Sequence, residues 1–480
     1  MVDKIVDFEG LSFDDLLILP SYSDIQTRRE IDLSVKIGNL KLRIPVISAP
    51  MDTVTGSSLA ISMAEMGGLG VIHRFQSIDS QVEEVKKVKR FKNVIIRDPI
   101  TVRKTDTLQT LHELELRFGV HSFPVIDNDS KLAGIVTRSD YSLENDKTIL
   151  VSSIMTSLKE TKILVVDSVD NLELQNAIEF IKRNKIKILP IVNPSMELLG
   201  LITRKDILRL SDTNCATDSK GQLLVGAATG IRHDWLERAV ELVSAGADLI
   251  CIDVANGYLT QVIKCVETLK SRFPNICLMV GNVATQEGYT NLEKAGADAI
   301  KVGIGPGSVC TTRIVTGIGV PQATAIYMCS KVKTTSSLIA DGGCKNFGDI
   351  AKALALGGDT VMLGSMLAGT EESLGDMLIV SGRRVKSVRG MASSFAFRDK
   401  IERSGDQPEY EPVSEGVNVG FVDFKGSVKE VLLNIEKALK SAFSYVGARN
   451  FTEFQAKTRL IRISENALKE SNPHSIFNLA

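Results

Sequence analysis

Residues Ala299-Ile-Lys-Val-Gly-Ile-Gly-Pro-Gly-Ser-Val-Cys310 join a short apolar strand pattern to a glycine-rich loop that presents a cysteine. In parallel α/β folds, ligands bind where the carboxyl ends of the strands meet, which is the position of this loop. Glycines at 303, 305 and 307 let the backbone turn sharply and expose amides or carbonyls to a ligand or a cation. The segment therefore predicts a parallel strand that leads directly into a binding site.

The cysteine of this loop is placed to attack whatever the loop holds. Thr311, Thr312 and Arg313 follow Cys310, and hydroxyls and a positive charge favour the thiolate form. A lone cysteine is more often a small buried hydrophobe, and we expect that of the other six of the seven cysteines. Because Cys310 follows a glycine-rich loop at a strand end, we predict that it is a nucleophile.

Length and composition narrow the class of protein. A chain of 480 residues exceeds the size at which one hydrophobic core stops growing, so we expect two domains. A formal net charge of -1 without long basic runs argues against binding to nucleic acid or to a membrane surface. No apolar run reaches the roughly 18 residues that span a bilayer, and the amino terminus is too polar for a signal peptide. The scattered cysteines form no Cys-x-x-Cys pair, so we expect a soluble cytoplasmic protein without a disulfide framework or a zinc site.

Eight short apolar runs alternate with helical patterns along most of the chain. Buried strands separated by helices predict an α/β protein with a (β/α)8 barrel, the TIM-barrel architecture. A doubly wound open sheet is the alternative, but its GxGxxG fingerprint in the first strand-helix turn is missing. The predicted strands are Ile44–Ala49, Leu69–His73, Leu223–Ala228, Leu249–Val254, Leu278–Val283, Ala299–Val302, Leu338–Ala340 and Thr360–Leu363.

An internal repeat interrupts this alternation after the second strand and its helix. Residues 121–127 match 187–193, and residues 134–140 match 200–206. The repeat resembles a tandem pair of cystathionine-β-synthase (CBS) modules, at about 94–150 and 151–210. We therefore divide the chain into a first barrel part at 1–92, an inserted CBS pair at 93–212 and a second barrel part at 213–480.

The CBS resemblance implies a possible adenine or guanine nucleotide on the threonine and aspartate that end each second strand. An alternative is that the two aspartates only cap helices. The residues concerned are Thr137, Asp140, Thr203 and Asp206.

Polar and glycine residues follow the predicted barrel strands, where barrels of this kind hold their active sites. Gly342-Gly343 and Gly364-Ser365 each precede a helical pattern, so their backbone amides suit a phosphate group. A turn is the alternative for either dipeptide alone. Two such clusters after consecutive strands favour the phosphate site.

The chain resembles the IMP dehydrogenase and GMP reductase family over nearly its full length. Besides the cysteine loop, the matching segments are Leu11-Ser-Phe-Asp-Asp-Leu-Leu17, Ser48-Ala-Pro-Met-Asp-Thr-Val54, Ala340-Asp-Gly-Gly343, Leu363-Gly-Ser-Met-Leu-Ala-Gly-Thr-Glu-Glu-Ser373 and Arg389-Gly-Met391. The resemblance implies that Cys310 attacks C2 of a purine nucleotide, that hydride passes to NAD, and that Thr312 assists. A covalent thioimidate on Cys310 is the implied intermediate.

The resemblance also assigns three groups of binding residues. The implied substrate residues are Ser308, Asp341, Gly342, Gly343, Gly364, Ser365, Arg389, Gly390, Met391 and Glu415. The implied cofactor residues are Asp253, Asn256, Asn282, Gly303, Ile304 and Gly305. A potassium ion is implied on carbonyls of Gly305, Gly307 and Cys310, completed by Glu470, Ser471 and Asn472 of a neighbouring subunit, which makes a homotetramer or octamer the expected assembly.

The family contains two reactions, and the flap at about 392–422 carries the signals that separate them. A dehydrogenase oxidises IMP to XMP and uses an Arg-Tyr pair to activate water; here Arg403 aligns with the arginine, but Ser404 replaces the tyrosine. A GMP reductase commonly has a glutamate where this chain has Ser394. The CBS insert and the tail Glu470-Ser-Asn-Pro-His474 resemble the dehydrogenase, so we favour IMP oxidation in guanine nucleotide synthesis. GMP reduction is the alternative, and a nucleotide sensor with weak turnover is the third.

Overall fold

A computed structural model describes residues 5, 9–91, 95–96, 99–144, 146–169, 172, 174–204, 207, 214–404 and 413–472 of the chain. By internal contacts the chain divides into two compact units. The first unit is Met1–Phe91 with Asn214–Ala480, and the second is Lys92–Thr213.

Eight parallel strands of the first unit close into a barrel. Strands β1 to β8 are Val46–Ser48, Leu69–Ile72, Val225–Thr229, Leu249–Asp253, Cys277–Val283, Ala299–Val302, Ser337–Asp341 and Thr360–Leu363. Each strand pairs with the next in chain order, and β8 pairs with β1 to complete the ring. This closed ring confirms the (β/α)8 prediction. The prediction was possible because strands that are buried on both faces appear in the sequence as continuous apolar runs.

Eight helices surround this ring. Helices α1 to α8 are Ser57–Glu65, Ile78–Arg90, Trp235–Ser244, Thr260–Arg272, Gln286–Lys294, Gln322–Ser330, Phe347–Ala355 and Val428–Val446. Side-chain caps start several of them: Ser77 accepts from the Ser80 amide before α2, and Asn346 accepts from the Asp349 amide before α7. Helix α8 packs against both α7 and α1, which closes the outer layer as β8 closes the inner one.

Smaller elements cover the two ends of the barrel. Within the interior core, the hairpin of Val35–Ile37 and Leu40–Leu42 buries Ile37, Leu40 and Leu42 against barrel residues. Met377–Val380, Arg383–Val388 and Gly420–Asp423 form a three-stranded sheet. Its first two strands precede the flap segment, and its third strand lies at the end of the flap. Leu16–Ile18 pairs with Leu460–Arg462. The remaining short elements of this unit are the 3-10 turns Phe13–Asp15 and Arg28–Glu30 and the helices Thr312–Thr316, Ser365–Ala368, Ser394–Ser404, Phe451–Lys457 and Glu465–Glu470.

The second unit contains two similar halves. Its strands are Ile95–Ile96, Val102–Arg103, Ser122–Ile126, Leu132–Thr137, Thr156–Ser157, Leu164–Val165, Ile188–Val192 and Leu198–Thr203, and its helices are Leu108–Phe118, Arg138–Tyr141, Val151–Ile154 and Leu174–Asn184. In the first half, the Asp140 carboxylate accepts from the Thr137 amide at 2.8 Å and from the Thr137 hydroxyl at 2.9 Å. Asp140 therefore completes the capping box of the helix Arg138–Tyr141. Asp206, predicted to have the same role as Asp140, lies outside the described residues.

No helix in the described part of the chain combines the length and the apolar character that crossing a membrane requires.

The loop before β7 is organised by one carboxylate at the amino end of the barrel. Glu293 accepts hydrogen bonds from the Thr334, Thr335 and Ser336 amides at 3.1, 2.9 and 2.8 Å, and from the hydroxyls of Thr334 and Ser336. Partial burial by itself would raise the pKa of Glu293, but these hydrogen bonds outweigh it and lower the pKa to about 2.

Glu293→Gln should lower the free energy of unfolding at neutral pH by about 1–2 kcal/mol, because an amide side chain satisfies fewer of these donors. A carboxylate with a depressed pKa stabilises the fold above its unfolded pKa, near 4.5, and this contribution is lost as the pH falls toward about 2. Urea unfolding of both proteins from pH 7 downward should show a gap that narrows below about pH 4.5. A gap that is independent of pH would contradict the assignment.

Candidate active site

The carboxyl ends of the barrel strands surround a cavity of about 340 Å³. It contains most of the residues that the sequence assigned to substrate and cofactor. The predicted residues on its wall are Asp253, Asn282, Gly303, Ile304, Gly305, Gly307, Cys310, Thr312, Asp341, Gly342, Gly390, Met391 and Glu415. Residues from several strand ends and from the flap segment therefore face one space.

Cys310 lies on this wall in a partly exposed position, unlike the five buried cysteines of the chain. Its Sγ donates a hydrogen bond to the Thr312 hydroxyl at 3.1 Å. In contrast, burial raises the pKa of Cys251 to about 12, so that thiol stays protonated at neutral pH. Cys310 is the thiol with both access to the cavity and a hydroxyl partner.

Arg313 has a structural role that was not predicted from the sequence. The Arg313 guanidinium donates to the Val320 carbonyl and, at 3.4 Å, to the Ile304 carbonyl, so it ties the ends of the loop together. A Cβ on Gly305 or Gly319 would lie 2.5 or 2.6 Å from the Arg313 side chain, so both positions need glycine. The guanidinium that we expected to favour the thiolate therefore also fixes the loop.

A segment from the end of the flap binds the cysteine loop through backbone hydrogen bonds. The Thr311 amide donates to the Glu415 carbonyl at 2.8 Å, and the Val417 amide donates to the Val309 carbonyl at 2.9 Å. On its other side, Val417 accepts from the Gly390 amide at 2.9 Å. A Cβ on Gly390 would lie 2.8 Å from the Gly416 Cα, so the two glycines permit this close approach. This pairing brings Glu415 to the cysteine.

The sequence analysis missed the charge network beneath the cavity. Lys301, on β6, is 1 % exposed, and its Nζ donates to Asp253 and, at 3.2 Å, to Asp341. Burial alone would lower the pKa of Lys301, but the two carboxylates raise it well above its usual value, so the lysine is charged. Asn282 donates to Asp341 at 2.9 Å and to the Gly303 carbonyl at 2.8 Å. The signal in the sequence was a lysine inside an apolar strand.

Arg74, which follows β2, was also missed. Its guanidinium lines the cavity and stacks over Phe75 at 4.9 Å from the ring centroid. Its Nε is buried and has no hydrogen-bond partner among the described residues. Burial lowers the pKa of Arg74, and the nearby Asp253 raises it. The strand-end rule that selected Asp253 and Asn282 would also have selected this residue.

The glycine clusters predicted for phosphate lie beside the cavity. Ser308, in the cysteine loop, and Ser365, at the start of the helix Ser365–Ala368, come together with 2.8 Å between their hydroxyl oxygens. Gly364 lies against Met51, which is on the cavity wall. Gly342 and Gly343 both have φ of 88°, a conformation that favours glycine.

Other predicted residues do not line this cavity. Asn256 accepts from the Tyr258 amide at 3.0 Å in an exposed turn. Arg389 forms ion pairs with Asp52 and Asp399 instead of facing the substrate cavity. Arg403 lies in the helix Ser394–Ser404, and its side chain is outside the described residues. The three residues that we predicted to act from a neighbouring subunit lie at the end of the helix Glu465–Glu470. Glu470 is its last residue, Ser471 is its C-cap, and Asn472 follows.

Comparison with known proteins gives a consistent family. The family model described as "IMP dehydrogenase / GMP reductase domain" matches residues 10–474. Inosine-5'-monophosphate dehydrogenase of Chlorobaculum tepidum is 42% identical, with 99% of this chain and 98% of the relative covered. The enzyme of the same name from Staphylococcus saprophyticus is 43% identical, with 98% and 96% covered.

Among solved structures, the chain is similar to GMP reductase from Trypanosoma brucei. A cysteine-to-alanine variant of that protein in complex with guanosine 5'-monophosphate has a TM-score of 0.90 and 37% identity, with 98% of both chains covered. The same reductase in complex with guanosine 5'-triphosphate has a TM-score of 0.79 and 34% identity, with 95% of this chain and 98% of that chain covered. Sequence, fold and the arrangement of the cavity agree: the chain belongs to the IMP dehydrogenase / GMP reductase family.

Proposed function

We propose that this protein oxidises IMP to XMP with NAD, through a covalent intermediate on Cys310. The observation that carries the proposal is the Cys310 thiol on the cavity wall, 3.1 Å from the Thr312 hydroxyl, in a loop bonded to Glu415. The relatives named inosine-5'-monophosphate dehydrogenase, about 40% identical over nearly the whole chain, support this direction of the reaction.

In the first half of the reaction, the Cys310 thiol passes its proton to water along its hydrogen bond to the Thr312 hydroxyl, and the sulfur bonds to C2 of the purine. The segment Glu415–Val417, which we call the return segment, pairs with the cysteine loop. Glu415 is thereby placed to hydrogen-bond the edge of the base. Ser308 and Ser365, with the amides of the two glycine clusters, would hold the ribose phosphate. Loss of hydride from C2 leaves a thioimidate.

Two groups on the cavity wall suit a dinucleotide. Asp253 keeps a partly exposed carboxylate that can accept from ribose hydroxyls, and the Arg74 guanidinium can pair with phosphate. NAD, when bound there, supplies the hydride acceptor. A potassium ion suits the carbonyls of Gly305, Gly307 and Cys310, because a loop with few side chains leaves its carbonyl oxygens accessible. We propose residues 470–472 of a neighbouring subunit as the remaining ligands of this ion.

In the second half, water must replace sulfur at C2. We propose Arg403 as the group that activates this water, as an arginine base in the flap helix. Ser404 offers a hydroxyl in place of the tyrosine of the usual pair. A slower hydrolytic step than in enzymes with the tyrosine follows from this substitution.

GMP reduction is the second candidate, favoured by the solved reductase that matches 98% of both chains. That length match means that the inserted unit alone does not separate the two activities. The shared first-half chemistry on Cys310 serves either reaction, and Ser394 lacks the carboxylate usual in reductases. We also propose a homotetramer or octamer in the cytoplasm and, at Thr137 and Thr203, an adenine or guanine nucleotide.

One experiment separates the two activities. The protein is incubated with IMP and NAD, and separately with GMP and NADPH, while the near-ultraviolet absorbance of the reduced cofactor is followed. Formation of reduced cofactor only in the first mixture supports the dehydrogenase. Consumption only in the second overturns it in favour of the reductase, and silence in both with nucleotide binding by calorimetry favours the sensor.

Cys310→Ala should abolish turnover while IMP still binds, because the phosphate and base contacts come from other residues. Calorimetry with IMP should give a dissociation constant within about threefold of wild type, a change below 1 kcal/mol. Cys329→Ala, at a buried cysteine, is the matched control and should stay active. Substantial turnover by the Cys310 variant would overturn the mechanism.

Arg74→Gln should weaken NAD binding by about tenfold to a hundredfold, the loss expected for one charge-assisted hydrogen bond. Binding of nicotinamide riboside, which has no phosphate, should be unchanged, and so should binding of IMP. Arg272→Gln is the matched control: Arg272 also stacks on the next phenylalanine, but it is exposed at the end of α4. Equal weakening of both nicotinamide ligands would show that Arg74 does not bind phosphate.

A further inference from the structure

Arg389 joins two carboxylates that belong to different parts of the first unit. Its Nε donates to both Asp52 oxygens at 3.2 and 3.0 Å, and its Nη2 also pairs with Asp52. The remaining terminal nitrogen, Nη1, lies 2.7 Å from the Asp399 carboxylate. Asp52 is in the loop after β1, whereas Asp399 is in the middle of the helix Ser394–Ser404. The guanidinium therefore connects the barrel rim to the flap helix.

The environment of this triad makes the contact more than a surface ion pair. The Asp52 and Arg389 side chains are 4 % and 18 % exposed, and Asp399 is 38 % exposed. The Arg389 guanidinium is already fixed by its hydrogen bonds to the buried Asp52 carboxylate. Its Nη1 can therefore bind Asp399 without further loss of side-chain conformational entropy. The Arg389–Asp399 contact is thus directional as well as electrostatic.

Two contacts of the flap helix with the rest of the first unit lie about one turn apart. At its first turn, the Asn418 side-chain oxygen accepts from the Ser394 hydroxyl at 2.9 Å and from the Phe395 amide at 3.3 Å. Asp399 provides the second contact, one turn further on. Arg403 follows Asp399 by four residues, so it lies about one further turn along the same helix. Loss of the Asp399 contact would weaken the attachment of the helix between its first turn and Arg403, which lie about 13 Å apart along the axis.

We propose that Asp399 is a positioning residue for the hydrolytic half of the reaction, which fixes the flap helix on the barrel through Arg389 and Asp52 so that Arg403 reaches the covalent intermediate. This inference rests on the proposed function. The first half of the reaction depends on Cys310, Thr312 and Glu415, which the backbone pairing of the return segment holds independently of Asp399. Loss of Asp399 should therefore slow hydrolysis and leave formation of the thioimidate intact.

The test measures the two halves separately for Asp399→Asn. Rapid mixing with IMP and NAD reports formation of reduced cofactor in the first turnover, and the steady-state rate reports hydrolysis. We expect a first-turnover rate within about twofold of wild type and a steady-state rate lowered about tenfold, the equivalent of 1.4 kcal/mol. The fraction of protein carrying the covalent nucleotide, found by acid quench and mass spectrometry, should rise. Asp399→Glu, which keeps the carboxylate, should recover most of the steady-state rate.

Asp52, Arg389 and Asp399 lie on the wall of a second cavity, of about 920 Å³. Asp376→Asn is the matched control, because Asp376 is an exposed acid on the same wall and has no ion pair among the described residues. It should leave both rates and the adduct fraction unchanged. Equal slowing of both phases in Asp399→Asn would indicate general structural damage, and unchanged rates would show that the contact positions nothing; either result overturns the inference alone. A wild-type protein that consumes NADPH with GMP and ignores IMP overturns both the inference and the proposed function.

Discussion

The ion pairs of Lys301 with Asp253 and Asp341 are the interaction on which the cavity depends. A charged lysine inside a barrel is stable only if carboxylates replace the water that it has lost. Those carboxylates end β4 and β7, so the same contacts fix two strand ends on either side of the cysteine loop. Asn282 extends the network to the Gly303 carbonyl, where the loop begins. Removal of either acid would leave Lys301 with a single carboxylate and would free one of the two strand ends directly beneath the site.

Above this charged floor, the cysteine loop is held by two different kinds of contact. Arg313 ties the loop to itself, and the Glu415–Val417 segment pairs with it as a short strand. The flap thus both begins and ends at the site, since Gly390 and Val417 bond to each other. Motion of the flap helix need not disturb the cysteine, because the residues that return to the loop are fixed by backbone hydrogen bonds. That separation suits an enzyme whose two chemical steps need different arrangements.

The two activities of the family share almost everything that this geometry provides. In the proposed mechanism, the same thiol, neighbouring hydroxyl, phosphate contacts and dinucleotide contacts serve attack at C2 in either reaction. What distinguishes the reactions is the group that handles water or ammonia, and the group that we propose for water, Arg403, lies on the flap helix. Ser404 and Ser394 both depart from the residues usual in their respective reactions. The chemical outcome therefore depends on the position and partners of a few side chains rather than on the fold.

The sequence by itself determined the barrel, its eight strands, the cysteine loop and most of the cavity wall. The barrel, the cysteine loop and the wall residues at strand ends come from periodicity and from glycines and polar residues that a parallel ring collects at one rim. The wall residues beyond the strand ends, such as Glu415, were predicted from the family resemblance. Tertiary structure alone decided the partners: Lys301 with two acids, Arg313 with its own loop, and Arg389 with Asp52 and Asp399. Asp52 and Arg389 are far apart along the chain, and residue spacing carries no information about which charge neutralises which. A partner is chosen by the geometry of the folded chain and by the cost of leaving a buried charge alone.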